Sequence, residues 1–173
     1  ADRCLFNQRE TGTHTRSYER ALRAAMRQDP DVLLVGEMRD LETISFALAA
    51  AETGHLVFGT VHTVSADNSI ERILNVFAPG QRPQMRSMLA DSLRAVVCQH
   101  LLRRIDRPGE RVLAVEIMLN TDAIANLIRK DKVFQIPSVL ATARDQGMQS
   151  MDAALLDLVE RGVVHADDAF MRA

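Results

Sequence analysis

Two short apolar runs constrain this chain more than any other feature: VLLV at Val32 to Val35 and LVFGTV at Leu56 to Val61. Each is rich in Val or other large apolar residues and is closed by polar ones, Gly36-Glu37 after the first and His62-Thr63 after the second. Runs of that length and composition read as strands buried on both faces of a parallel sheet. The segment between them, LETISFALAAAET, has the composition and length of a helix. Strand, helix and strand in one sheet make a right-handed crossover, so the two strands run parallel and their C-terminal ends open on one edge. Open α/β sheets bind ligands at that edge. Glu37 and His62, far apart in sequence, are therefore expected to face one site.

The rest of the chain extends this plan. Cys4 to Gln8 reads as a further strand and Thr11 to Thr15 as a loop. Ser17 suits the N-cap of a helix over Tyr18 to Gln28, and Asp29-Pro30 stops it, because the residue before proline avoids helical geometry. Asp40 suits the N-cap of the helix between the two runs, Glu42 its first turn, and Gly54 the position just past its end. A helix follows over Asp67 to Val76. Pro83 opens a longer one that is expected to reach about Leu102. Asp106 to Glu110 is a turn and Arg111 to Met118 a partly alternating strand. Short helices follow at Asp122 to Arg129, Ile136 to Arg144, Met151 to Arg161 and Ala166 to Met171. The expected division is an α/β part over residues 1–119 and an all-helical tail over 120–173.

Composition narrows the class. A chain of 173 residues, nearly half of them apolar, can bury one sizeable core. A net charge of -2 gives no overall basic bias, which argues against a nucleic-acid-binding surface. The two cysteines, Cys4 and Cys98, are far apart, which fits a reducing compartment and gives no paired metal motif. No apolar run approaches the roughly 20 residues of a membrane-spanning helix. The first residue is Ala, and the strand-like CLFN follows almost at once, so the chain reads as a piece of a longer protein.

DPDVLLVGEMRD and TGHLVFGTVHT resemble the Walker B and His-box segments of the secretion and type IV pilus motor ATPases, in particular the PilT-like retraction ATPases. NQRE at Asn7 to Glu10 and AIANLIRK at Ala123 to Lys130 carry the resemblance almost to the end of the chain. It implies a partial RecA-like P-loop NTPase core followed by a helical C-terminal subdomain. It also implies a homohexameric motor that uses ATP and Mg2+ to retract pili in twitching motility. Such a motor is cytoplasmic, lies against the inner membrane and works on a platform protein there. No segment matches G-x-x-x-x-G-K-[ST], the loop whose amides cradle phosphates. This chain alone is therefore expected to bind ATP poorly and not to hydrolyse it.

The resemblance and the residues together give a candidate site. Glu37, at the end of a strand, is placed to orient the attacking water or take its proton. A helix-capping role, or a salt bridge with Arg39, is the structural alternative. His62 is expected near the γ-phosphate. Gly36, Thr60 and His55 join the ATP-binding set, although His55 and His62 would point to opposite faces of a regular strand. That parity also argues against a metal site built on the two histidines. Arg9, Arg23 and Arg27 are candidates for an arginine supplied across a subunit interface. At the position of a familiar arginine in that loop this chain has Thr13, with His14 and Arg16 nearby. In AIANLIRK, the residues Ala123, Ile124, Asn126, Leu127, Ile128 and Arg129 form a candidate partner-docking motif. Ala125 and Lys130 depart from the family pattern there. Assembly and type II secretion relatives carry C-x-x-C pairs after the His box. The corresponding RRIDRPGER has no cysteine, so no structural zinc is expected and the retraction branch is favoured. Two alternatives stay open: a non-hydrolysing module that assembles with motor subunits, and a type II secretion or pilus assembly ATPase.

Overall fold

The computed structural model describes residues 4–10 and 12–172; Thr11, the first residue of the expected loop, lies outside them. Contacts divide the chain into two compact units, one up to Thr60 and one from Val61 onward.

In the first unit, Ser17 caps α1 (Tyr18–Ala25) by accepting from Arg20 N, and a 3-10 turn over Met26–Gln28 leads to Asp29 at φ 52°. The left-handed backbone at Asp29, followed by Pro30, ends the helix as expected. Strand β1 (Val32–Val35) pairs in parallel with β2 (Leu56–Gly59), Val32 opposite Leu56 and Val35 opposite Gly59. Helix α2 (Leu41–Glu52) makes the crossover. Asp40 caps it through a 2.8 Å bond from Thr43 N. Gly54, at φ 101°, turns the chain back to β2, a backbone angle that a side chain resists. The core of this unit is Val35 with Ile44, Ala47, Leu48 and Ala50 of α2.

Two expectations fail here. Residues 4–8 form no strand: Leu5 and Phe6 are exposed, and no described strand pairs with them, so the backbone lacks the ladder that defines a strand. The β1–β2 sheet is also not buried on both faces. Helix α2 packs on it, but Leu34 is 73% and Phe58 54% exposed. Alternation sends every second side chain away from the helix, so Leu34 and Phe58 lie on the face that the described residues leave uncovered.

The second unit begins with α3 (Ala66–Asn75) and α4 (Arg82–Ser92), the latter with Pro in its first turn. Helix α4 does not reach Leu102. Asn120 Nδ2 donates to the carbonyls of Ala90 and Leu93, both at 2.9 Å, and so satisfies the end of the helix. The following residues form β3 (Ala95–Arg103), antiparallel to β4 (Arg111–Leu119) across the expected turn. The physical reason is period two. Cys98 and Leu102 of β3, with Ala114 and Met118 of β4, are buried on one face, whereas Val97, Leu101 and Leu113 are exposed on the other.

Helices α5 (Asp122–Arg129), α6 (Ile136–Leu140), α7 (Met151–Glu160) and α8 (Ala166–Phe170) follow, α6 being shorter than expected because the chain turns at Ala141 to Ala143. Ile124, Ile128 and Ile136 have no exposed surface. Each contributes about 1.5–3 kcal/mol by leaving water. Helix α7 packs on β4, with Met151, Ala154, Leu155 and Leu158 entering a cluster with Cys98, Leu102 and Ala114. No helix of the described residues is long and apolar enough to cross a membrane.

Candidate functional site

The C-terminal edge of β1–β2 is tied together just past the strands. The Thr60 hydroxyl donates to the Gly36 carbonyl, and Met38 N donates to the Thr60 carbonyl at 2.9 Å. These bonds prolong the pairing by one step and hold Gly36, Glu37 and Met38 as a bent connection between β1 and α2. A Cβ on Gly59 would fall 2.6 Å from the Met38 sulfur and terminal methyl, so the glycine gives the Met38 side chain its room. Gly36 and Thr60, both named from sequence, therefore meet at this edge.

Glu37 follows Gly36 in this connection and is half-buried. Its Oε1 is paired with Arg39 Nε, the salt bridge named as the structural alternative for this residue. Two further groups border the edge: Tyr18, which the sequence reading missed there, and Asp40, which it expected only as the α2 cap. The Gly36 amide serves the oxygen of Tyr18, whose phenol pKa is raised by burial and by the nearby Asp40 carboxylate, against a lowering from that amide. Asp40 is held below the usual carboxylate range by the Thr43 amide at the start of α2, with smaller help from the Thr43 hydroxyl and the Glu42 amide; partial desolvation opposes this. Tyr18 carried a signal. It is the chain's only tyrosine and opens the helix just ahead of the first strand.

His55 stands at the other end of β2 from Thr60. Its Nδ1 lies 3.0 Å from the Ala50 carbonyl and 3.1 Å from the Thr53 hydroxyl, at the end of α2. The structure thus separates His55 from Gly36 and Thr60 by the length of the strand. Arg9, Arg23 and Arg27 are all exposed; Arg23 pairs with Glu19 one helical turn earlier. Glu19 in turn acts on Glu42 of α2, whose pKa is raised by desolvation first and then by Glu19.

His62 belongs to the second unit, exposed in the loop that leads to α3. Thr63, next to it, shares a 2.6 Å hydroxyl bond with Ser69 of α3. Ser69 donates back to the Ser65 carbonyl at 2.8 Å, so the loop is anchored on the first turns of α3. Farther along, the AIANLIRK helix splits into two faces. Ile124, Ala125 and Ile128 are buried, while Ala123, Asn126 and Leu127 line an open groove of about 610 Å³ with Gln135, Ser138, Val139 and Thr142. Arg129 pairs with Asp91 of α4. The buried Ala125 was read as a departure from the family pattern, and here it packs as core. Among the described residues no group of three or more His, Cys, Asp or Glu is placed to hold a metal ion.

The chain resembles known proteins over nearly its whole length. The chain is 51% identical over 171 residues to the type IV pilus retraction ATPase PilT of Pseudomonas aeruginosa, covering 99% of this chain and 49% of that protein. It is 52% identical over 169 residues to the twitching motility protein of Neisseria gonorrhoeae, 45% of whose length is covered. The crystal structure of the pilus retraction motor PilT with bound ADP superposes with a TM-score of 0.87 at 47% identity, over 96% of this chain and 46% of that one. The chain spans about half the length of these relatives. Over that half it has the α/β fold of a P-loop ATPase. The family described as Type II/IV secretion system protein matches residues 8–167, and the chain belongs to that family.

Proposed function

We propose that the full-length protein is a homohexameric motor ATPase that couples ATP hydrolysis to retraction of type IV pili, and hence to twitching motility. The observation that carries this reading is the likeness to a retraction ATPase over 99% of the chain, which includes the strand ending in Gly36-Glu37. In this reading Glu37 orients the attacking water and His62 responds to the γ-phosphate, while Gly36 and Thr60 shape the edge that the nucleotide approaches. Mg2+ screens the phosphate charge and is held largely by ATP. His55 fixes the start of β2 and takes no direct part. Arg9, Arg23 and Arg27 remain the candidates for a charge supplied by the neighbouring subunit. Residues 120–173 form the helical C-terminal subdomain of the motor. In the same reading its groove along Ala123, Asn126 and Leu127 is the docking surface for a pilus platform protein of the inner membrane, and the motor works on the cytoplasmic side.

A second reading has an observation of its own. The Glu37 carboxylate is engaged by Arg39, as it would be in a scaffold that assembles with motor subunits and does not hydrolyse ATP. Purified full-length protein separates the two. A motor turns over ATP and restores surface motility to a strain lacking the gene; a scaffold joins the hexamer without turnover. Turnover accompanied by loss of pilus extension, instead of retraction, in the deletion strain would place the protein among the assembly ATPases.

A further inference from the structure

We propose that Glu116 is a positioning residue that couples the start of α7 to the loop carrying His62. Glu116 is 7% exposed and lies on the inward face of β4, between Ala114 and Met118. A buried carboxylate needs compensation for the water it has lost. Here two helix starts provide it. Ala66 N, the first amide of α3, donates to Oε1 at 2.7 Å, and Met151 N, the first amide of α7, donates to Oε2 at 3.3 Å. Both helices direct the positive ends of their dipoles at the same charge.

Local capping does not make this carboxylate redundant. Ser65, the N-cap of α3, makes no capping bond with its side chain, because its hydroxyl is turned to Asp67. Ser150 does cap α7, but its bond goes to Ala153 N, which leaves Met151 N to Glu116. The chain before α7 is also stitched to β4 on either side of the glutamate. Gln149 and Ile117 exchange backbone bonds of 2.8 and 2.9 Å, and Gln149 Nε2 donates to the Val115 carbonyl at 2.9 Å. The α7 start therefore cannot shift without disturbing the Glu116 carboxylate. The carboxylate in turn cannot shift without disturbing Ala66, the residue into which the His62–Ser65 loop runs. That loop is anchored on the same turns of α3 through Thr63 and Ser69. A carboxylate shared by two elements, each with its own claim on one oxygen, transmits displacement between them.

The effect on turnover rests on the motor reading; the mechanical coupling does not. The test uses full-length protein in four forms: wild type, Glu116→Gln, Ser150→Ala and the double variant. Hydrogen exchange is followed by mass spectrometry over residues 62–68 and 149–153. Ser150→Ala frays α7 and is expected to speed exchange in 62–68 by about threefold or more through the carboxylate. Glu116→Gln keeps the shape but can offer only one acceptor, so it speeds exchange in both segments. The double variant is expected to match Glu116→Gln in 62–68, because the link is already cut. If Glu116→Gln does not fold, Glu116→Asp, which withdraws the charge by one methylene, takes its place. Segment 62–68 unmoved by Ser150→Ala, or a double variant faster there by the full single-variant factor, overturns the coupling. In steady-state kinetics Glu116→Gln is expected to lower kcat by about 10-fold with KM for ATP nearly unchanged. An unchanged kcat removes the positioning role. A wild type without turnover would defeat the motor reading and leave the exchange result to decide the coupling.

Discussion

Replacing Glu37 by Gln in the full-length protein separates its two possible roles by size of effect. The ion pair with Arg39 is open to solvent on the arginine side, the two side chains retaining 31% and 68% of their accessible surface for Glu37 and Arg39. Exposed pairs of this kind contribute about 0–1 kcal/mol. Losing the pair should therefore lower the melting temperature by about 2–4 °C or less. The catalytic role predicts a different scale. General-base effects run to about 100-fold and more, and 100-fold in rate is about 2.7 kcal/mol of barrier. The amide is nearly isosteric, so ATP affinity should be kept. Arg39→Ala is the control, because it breaks the same ion pair and leaves the carboxylate; its stability loss should match that of Glu37→Gln while turnover stays near wild type. The assays are ATP affinity, melting temperature and turnover per folded subunit on one preparation of each variant. Near-normal turnover in Glu37→Gln, with a stability loss equal to that of Arg39→Ala, would show that the carboxylate only holds the loop.

Three further outcomes test the frame around that edge. Asp40→Ala should cost about 1 kcal/mol through loss of the α2 cap. The folded-state pKa of Asp40 is lowered, so its contribution is present above the unfolded carboxylate range and is lost as pH falls through the folded value; the gap to wild type, read by denaturant melts, should close in acid. Gly54→Ala forces a side chain into φ 101° and should destabilise by roughly 1–2 kcal/mol in the same melts, whereas Gly80→Ala, which meets open space at ordinary φ, should cost less. The Tyr18 phenol can be titrated by ultraviolet absorbance as the difference between wild type and Tyr18→Phe. Burial raises its pKa above 10.0, the ordinary value; it should ionise later in the folded than in the denatured chain, and the stability that this represents is lost as pH rises through the folded value. A midpoint equal to that of the denatured chain would remove Tyr18 from the Gly36 edge.

What the sequence disclosed follows from where its signals are local. Asp40, Gly54, Ser17 and Asp29-Pro30 act through bonds and backbone angles within a few residues, and the structure has each in its expected place. The parallel β1–β2 pair was legible for a similar reason: a helix of the right length lay between two apolar runs, and only one connection fits. The reading of β3 failed because apolar residues occupy both of its faces. Val97 and Leu101 point outward while Cys98 and Leu102 point inward, so the period of two was masked and the run continued the helical pattern begun at Pro83. The end of α4 depends on Asn120, a residue on the far side of the hairpin, and no window along the chain contains that bond.

Glu116 shows a different kind of limit. Its signal was present: a carboxylate sits at the inward phase of an alternating strand, where an apolar residue belongs. Such a charge is tolerated in a core only when hydrogen bonds replace its hydration. The sequence could therefore have marked Glu116 as a residue with strong partners, but not named them. Those partners are backbone amides, which every residue has, and what selects Ala66 and Met151 is that each opens a helix delivered to the same face of β4. The identity of a side-chain partner can be inferred from residue type; the identity of an amide partner depends on topology alone. The same asymmetry holds at Gly36 and Thr60, where a hydroxyl finds a carbonyl only because β1 and β2 run parallel in register. Residue types thus mark where chemistry is concentrated in this chain, and the fold decides which backbone groups it acts through.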